Sequence, residues 1–151
     1  MATPSEWLTR HVRRDHEWLL QRLRSLDRCL DNICYYGEVC SDLRGFGALR
    51  HRCEELLETL EQHIPEEEQL FARLKTEDGE LRPLLAGLVE EHRSILHALK
   101  GNLKTLKALE SGELLPEDLS TLQDKVRALI GTLERHIATE NQRVLPEFEA
   151  A

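Results

Sequence analysis

Two stretches of this chain set a histidine and a glutamate four residues apart inside a run of leucines: His63-Ile64-Pro65-Glu66-Glu67 and His136-Ile137-Ala138-Thr139-Glu140. Four residues is just over one helical turn, so each pair stacks on one helix face. That face is otherwise apolar. Leu49, Cys53, Leu56 and Leu60 lead into the first pair, and Leu70 and Leu74 continue beyond it. Leu119, Leu122, Val126, Leu129 and Leu133 lead into the second. Apolar residues at three- and four-residue steps form the buried stripe of a bundled helix. Both glutamates therefore fall where a core should be, and a buried carboxylate without a positive partner is costly.

Two more helices carry the same rhythm. Thr3-Pro4-Ser5-Glu6 has the form of a helix start, with Thr3 as cap, Pro4 in the first turn and Glu6 closing a capping box. From there Leu8, Val12, His16, Leu19, Leu23, Leu26 and Leu30 make a stripe that fades by Tyr36-Gly37. Glycines at 37, 45 and 47 mark a loose turn, and a second helix is expected from about Ala48 to Leu74. Pro65 lies inside it, where the missing N–H predicts a kink. After the polar turn Lys75–Gly79, the third helix carries Leu81, Leu85, Leu88, His92, Ile95, Leu99, Leu103 and Leu106. Glu110-Ser111-Gly112-Glu113 ends it, and Pro116 opens a last helix that runs to about Phe148, past Pro146. Four helices with short connections predict an all-α, up-down-up-down four-helix bundle, with residues 1–151 as one domain.

That architecture can be checked for level. His16 and His92 lie about a dozen residues from the starts of their helices, and His63 and His136 about a dozen from the ends of theirs. At 1.5 Å per residue, each is roughly 16–18 Å from the same end of the bundle. Four core histidines thus arrive at one height, with Glu67 and Glu140 a turn away. A single histidine on an apolar stripe is most simply a core residue with a hydrogen-bond partner. Four at one level beside two buried carboxylates make a metal centre the simpler account. Imidazole and carboxylate donors suit iron, manganese or zinc. Six donors suggest two ions, each with two imidazole nitrogens and with Glu67 and Glu140 as bridges. Such a centre keeps positions for an oxo or hydroxo bridge and for a small exogenous ligand such as dioxygen, peroxide or nitric oxide.

Two other metal patterns fail. A ferritin-like centre needs Glu-x-x-His, but the residues three before the four histidines are Arg13, Leu60, Val89 and Leu133. The zinc-protease pattern His-Glu-x-x-His has Leu20 at its second histidine position after His16-Glu17. The order His16, His63-x-x-x-Glu67, His92, His136-x-x-x-Glu140 instead resembles the hemerythrin-like HHE cation-binding domain, over nearly the whole chain. The resemblance implies a non-haem di-iron site in which His16, His63, His92 and His136 are terminal ligands and Glu67 and Glu140 bridge. The oxygen-carrying hemerythrins use a fifth histidine four residues from the third-helix ligand, where this chain has Leu88 and Leu96, and an aspartate where it has Asn141. The match is to the four-histidine, two-glutamate branch, which implies oxidative or nitrosative stress or the maintenance of iron centres rather than oxygen transport. A non-catalytic module that stores, delivers or senses iron or oxygen is the alternative.

The remaining residues have plainer readings. Glu66 also sits near His63, but its counterpart in the second block is Thr139, so Glu67 is preferred as the ligand. His11, His51 and His97 fall off their stripes and are expected at the surface. Asp15, Glu17 and Glu91 adjoin ligands in sequence, and a solvated face is expected for them, with Asp15 or Glu91 as an acceptor for an imidazole N–H as the alternative. Trp18, Tyr35, Tyr36 and Phe71 read as packing residues. Cys29, Cys34, Cys40 and Cys53 form no CxxC pair, and Cys53 sits on the core stripe as a small apolar residue. With 28 acidic and 20 basic residues the net charge is −8, which argues against nucleic acid and against an anionic membrane. No apolar run reaches the length of a membrane span, Met1–Trp7 lacks a signal-peptide pattern, and a cytoplasmic location is expected. No surplus apolar stripe stands out, so a monomer or small homo-oligomer is expected.

Overall fold

The computed structural model describes residues 4–36, 44–77, 79–112 and 117–150. Four long helices account for almost all of it: α1 (Pro4–Tyr36), α2 (Arg44–Glu77), α3 (Arg82–Glu110) and α4 (Glu117–Thr139). A π-helical turn, Glu140–Val144, joins α4 to a short last helix, α5 (Leu145–Ala150). Helix α1 packs on α2, α2 on α3, α3 on α4, and α4 closes the ring against α1. This is the all-α four-helix bundle that the leucine stripes predict. Among the described residues no helix is long and apolar enough to cross a membrane.

Helix α2 begins at Arg44, four residues earlier than expected, and takes Gly45 and Gly47 into its first turns. A glycine in a helix costs about 1 kcal/mol relative to alanine. Packing offsets that cost: Leu49 is buried and Phe46 lies against the same core. The helix then runs unbroken through Pro65. Helix α3 starts with proline in its first turn, where no N–H is needed. It ends on a left-handed glycine, Gly112 at φ 75°, whose N–H bonds the carbonyl of Leu109. The cap expected at Thr3 and the helix start expected at Pro116 lie outside the described residues.

The last helix departs from the expected continuous path. Pro146 cannot donate a hydrogen bond, and its ring crowds the carbonyl four residues before it. The chain answers by widening: the N–H of Leu145 reaches back five residues to the carbonyl of Glu140. Such π turns relieve a local conflict by inserting one residue into the helical ladder. The widened turn begins at one of the two core glutamates.

The core is divided. A large cluster spans all four helices, from Leu30, Leu49, Leu106 and Leu122 to Leu19, Leu60, Ile95 and Leu133. A smaller one, with Val12, Leu74, Leu85, Val144 and Phe148, fills the end where α2 turns into α3. Each fully buried leucine contributes roughly 1.5–3 kcal/mol, so both clusters stabilise the bundle strongly. Arg13 on α1 pairs with Glu149 on α5 at 2.8 Å and ties the last helix to the small cluster. Between the clusters lies one polar layer.

Candidate metal centre

That layer consists of His16, His63, Glu67, His92, His136 and Glu140, each no more than 4% exposed. Helix α1 supplies one residue, α2 two, α3 one, α4 one, and the π turn supplies Glu140. The rings meet in pairs. His16 and His63 have centroids 5.1 Å apart, and His92 and His136 4.7 Å apart. Glu67 reaches both pairs: its Oε2 is 3.1 Å from His16 Nε2 and 3.2 Å from His63 Nε2, while its Oε1 is 3.3 Å from His92 Nε2. Glu140 Oε1 is 2.6 Å from His136 Nε2 and 3.9 Å from His16 Nε2. Two donor groups result, His16–His63–Glu67 and Glu67–His92–His136–Glu140, each with ligand atoms within 4.8 Å of one another.

The outward nitrogens show why the inward ones face the centre. His63 Nδ1 is 2.9 Å from Asp15 Oδ2, and His92 Nδ1 is 3.2 Å from Glu68 Oε1. His136 Nδ1 is 3.2 Å from Glu91 Oε2, and His16 Nδ1 is 2.7 Å from Asn141 Oδ1. All four partners are oxygen acceptors, so each Nδ1 carries the proton and donates it outward. In a neutral imidazole that leaves the Nε2 lone pair free, aimed into the centre. The expectation that Asp15 and Glu91 face solvent is therefore corrected for both. Asp15 and Glu91, each just before a histidine on its own helix, reach the histidine of the next helix. Glu68 and Asn141 follow the same logic from the positions just after Glu67 and Glu140. The four contacts close a ring, α1 to α2, α2 to α3, α3 to α4, and the π turn back to α1.

The inward atoms are only partly satisfied by one another: His16 Nε2 pairs with Glu67 Oε2 at 3.1 Å. Nε2 of His63, His92 and His136 and Oε1 of Glu140 are buried with no partner in hydrogen-bond geometry, although carboxylate oxygens lie close by. The enclosed space between them measures about 10 Å³ and is otherwise walled by Leu19, Leu60, Ile64, Ile95, Leu133 and Ile137. That is the lower limit for a single water, too little for a solvent network to satisfy four polar atoms. Buried polar atoms left this way are costly. Lone pairs converging on one small space fit a metal ion. The donor chemistry, imidazole with carboxylate, fits a first-row transition metal.

Without metal, the carboxyl pair divides its protonation. Burial, the charge of Glu67 and the hydrogen bond with it hold the Glu140 carboxyl well above the usual range. Burial also pushes Glu67 upward, but Glu140 and the close imidazoles of His16, His63 and His92 outweigh it and keep Glu67 well below that range. The two carboxyls are thus driven apart, Glu140 toward the protonated form and Glu67 toward the carboxylate. Burial and the neighbouring His92 lower His136. Burial lowers His63 too, yet the carboxylates of Glu67 and Asp15 raise it above an ordinary imidazole.

Other expected surface and packing residues fall as follows. His51 and His97 are exposed, and Glu17 faces solvent. Glu66 turns away from the centre and lies 2.8 Å from His11 Nε2. Phe71 is buried and stacks on His92 at 6.0 Å, as a packing residue should. Trp18 is instead 55% exposed, with the Arg22 guanidinium over its ring. Cys53 is buried in the core and Cys29 half-buried, both as free thiols. The side chains of Cys34, Tyr35, Tyr36 and Cys40 lie outside the described residues.

A comparison with protein-family models matches residues 8–148 to the hemerythrin HHE cation binding domain. No curated protein and no solved structure gives a significant match.

Proposed function

Given that the chain belongs to the hemerythrin HHE cation-binding domain family, we propose that it is a non-haem di-iron protein that binds or reacts with a small oxidant: dioxygen, hydrogen peroxide or nitric oxide. His16 and His63 would hold one ion, His92 and His136 the other, and Glu67 and Glu140 would bridge them. The observation that carries this reading is the orientation of the four imidazoles, each Nδ1 anchored outward and each Nε2 turned inward. Two redox-capable ions with positions not taken by protein would supply one-electron and two-electron chemistry toward such molecules. The protein's own residues orient the imidazoles and keep bulk water out with an apolar wall. Oxidative or nitrosative stress, or the maintenance of iron centres, is the setting that suits this chemistry. A cytoplasmic location and a monomer or small homo-oligomer belong to the same reading.

One feature favours a second reading, a module that stores, delivers or senses iron or oxygen without turnover. Apart from the six donors, every residue walling the cavity is Leu or Ile, so no separate general acid or base faces it. Metal analysis and an optical spectrum of aerobically purified protein test the shared part. Two irons per chain with near-ultraviolet absorption, both lost in His63→Ala, are expected. Stopped-flow mixing of the reduced protein with each of the three oxidants then separates the readings. Spectra unmoved by all three would sink the first, and multiple turnovers of peroxide or nitric oxide would sink the second.

A further inference from the structure

We propose that His11, Asp15 and Glu66 form a second, peripheral site for a divalent transition-metal cation, outside the core layer and on the outer face of α1 and α2. His11 and Asp15 lie one helical turn apart on α1, and Glu66 approaches them from α2. His11 Nε2 is 2.8 Å from Glu66 Oε2 and 3.5 Å from Asp15 Oδ2. Donor atoms bound to one ion at roughly 2.0–2.2 Å stand about 3–3.5 Å apart, so this spacing needs little adjustment to close on a cation. One imidazole nitrogen and two carboxylate oxygens suit zinc, iron(II) or manganese(II), and two carboxylates carry the charge that a divalent ion requires.

Two further observations bear on how these donors are held. Glu66 Oε2 has almost no contact with solvent and no partner in hydrogen-bond geometry, although His11 Nε2 is within contact distance. The same signature, close approach without hydrogen-bond alignment, marks the inward atoms of the core centre. In addition, the ring of Trp7 lies parallel to the His11 ring, 5.2 Å away at an angle of 4°. That stacking limits the rotation of His11 and holds its Nε2 toward the two carboxylates.

The site also touches the core. Asp15 Oδ2, 3.5 Å from His11 Nε2, is the atom that accepts from His63 Nδ1 at 2.9 Å. A cation bound outside draws on the oxygen that orients a core imidazole. This coupling rests on the proposed core centre; the peripheral site itself does not.

The test uses the full chain loaded with iron at the core and then titrated calorimetrically with zinc. One additional zinc per chain is expected, weakened about 10–100-fold or more in His11→Ala and in Glu66→Gln. His11 and Glu66 are 31% and 41% exposed, so both variants should keep the fold. In a Trp18→Phe background the emission of Trp7 should change over the same zinc range. Absence of the additional site, or a titration identical in wild type and both variants, overturns the proposal. Iron at the core without that extra zinc removes the peripheral site alone. A His11-dependent zinc site in a chain that never retains core iron removes the core reading and leaves this one standing.

Discussion

Asp15 precedes His16 in sequence but serves His63 in space: its Oδ2 lies 2.9 Å from His63 Nδ1, across the α1–α2 interface. One residue along a helix is a rotation of about 100°, which moves a side chain from the core stripe to the seam with the neighbouring helix. Glu91 does the same for His136 from α3. The residues beside the ligands therefore orient the ligands of other helices. Each such hydrogen bond fixes the tautomer and the ring plane of its imidazole.

The first prediction follows from that ring. Glu91→Ala leaves His136 Nδ1 without its acceptor and frees the ring to rotate. Metal affinity at the centre should fall by roughly 10–100-fold, the usual cost of losing an orienting partner. Glu91 is partly exposed, so the fold should survive. Competition with a chelator measures the change. Metal retention equal to that of wild type would mean that the contact does not orient His136.

A second prediction concerns metal removal. An ion that binds the folded chain and not the unfolded one stabilises by about 2.7 kcal/mol when free metal is a hundredfold above Kd. For a chain of this size each kcal/mol shifts Tm by roughly 2–4 °C. Stripping the protein should therefore lower Tm by several degrees or more, and adding iron back should restore it. His63→Ala should start at the lower Tm and show no response to iron. Differential scanning calorimetry reads all three.

Third, the two described thiols should differ in reactivity. Burial, with smaller contributions from Cys29 and Glu54, pushes the Cys53 thiol up to about 12, and the residue is fully enclosed in the core. Burial also raises Cys29, but Arg52 opposes it and the side chain is only half-buried. The thiolate is the reactive form. Near pH 8 an alkylating reagent should label Cys29 in the folded protein, and Cys53 only after unfolding. Peptide mass spectrometry distinguishes the sites. Rapid labelling of Cys53 under native conditions would contradict the packing around it.

The helices and the six core residues were legible because both rest on one periodicity. His16, His63, His92 and His136 occupy positions where the 3.6-residue repeat calls for leucine, so burial followed from the pattern alone. The orienting acceptors were not legible in that way. Asp15, Glu68, Glu91 and Asn141 sit one residue off the stripe, where a polar side chain is also normal on a solvated surface. What separates the two cases is the neighbouring helix, and a stripe holds no information about which seam it borders. A signal was nonetheless present: in each half of the chain, an acidic residue directly precedes the lone histidine, and a polar residue directly follows the glutamate. The π turn was missed for a related reason. Pro146 announces a conflict, but its resolution, a five-residue reach from Leu145 to Glu140, depends on packing at the end of the bundle.

The last prediction uses the opposed shifts of the two carboxyls. In the metal-free protein, burial and Glu67 hold the Glu140 carboxyl well above the ordinary glutamate range, so the folded chain keeps a proton that the unfolded chain loses. Where the folded state binds more protons, stability falls as pH rises. The contribution of Glu140 is thus complete below the ordinary glutamate value and is lost as pH climbs toward its folded value. Glutamine cannot ionise and resembles the protonated carboxyl in shape. Metal-free Glu140→Gln should therefore lack this loss, and it should gain on wild type by up to about 1.4 kcal/mol per pH unit within that window. Urea melts of both proteins at several pH values measure the difference. Glu67 is shifted the other way, so its contribution is present above the ordinary value and is lost on acidification. Glu67→Gln should accordingly lose ground to wild type as pH rises from acid to neutral. A gap between wild type and Glu140→Gln that stays constant with pH would mean that Glu140 is not held toward the protonated form. The same substitution removes a negative oxygen donor, so it should weaken metal binding even as it relieves the metal-free fold. A site whose best metal-free form is a poorer metal site has been shaped for the ion rather than for the empty bundle.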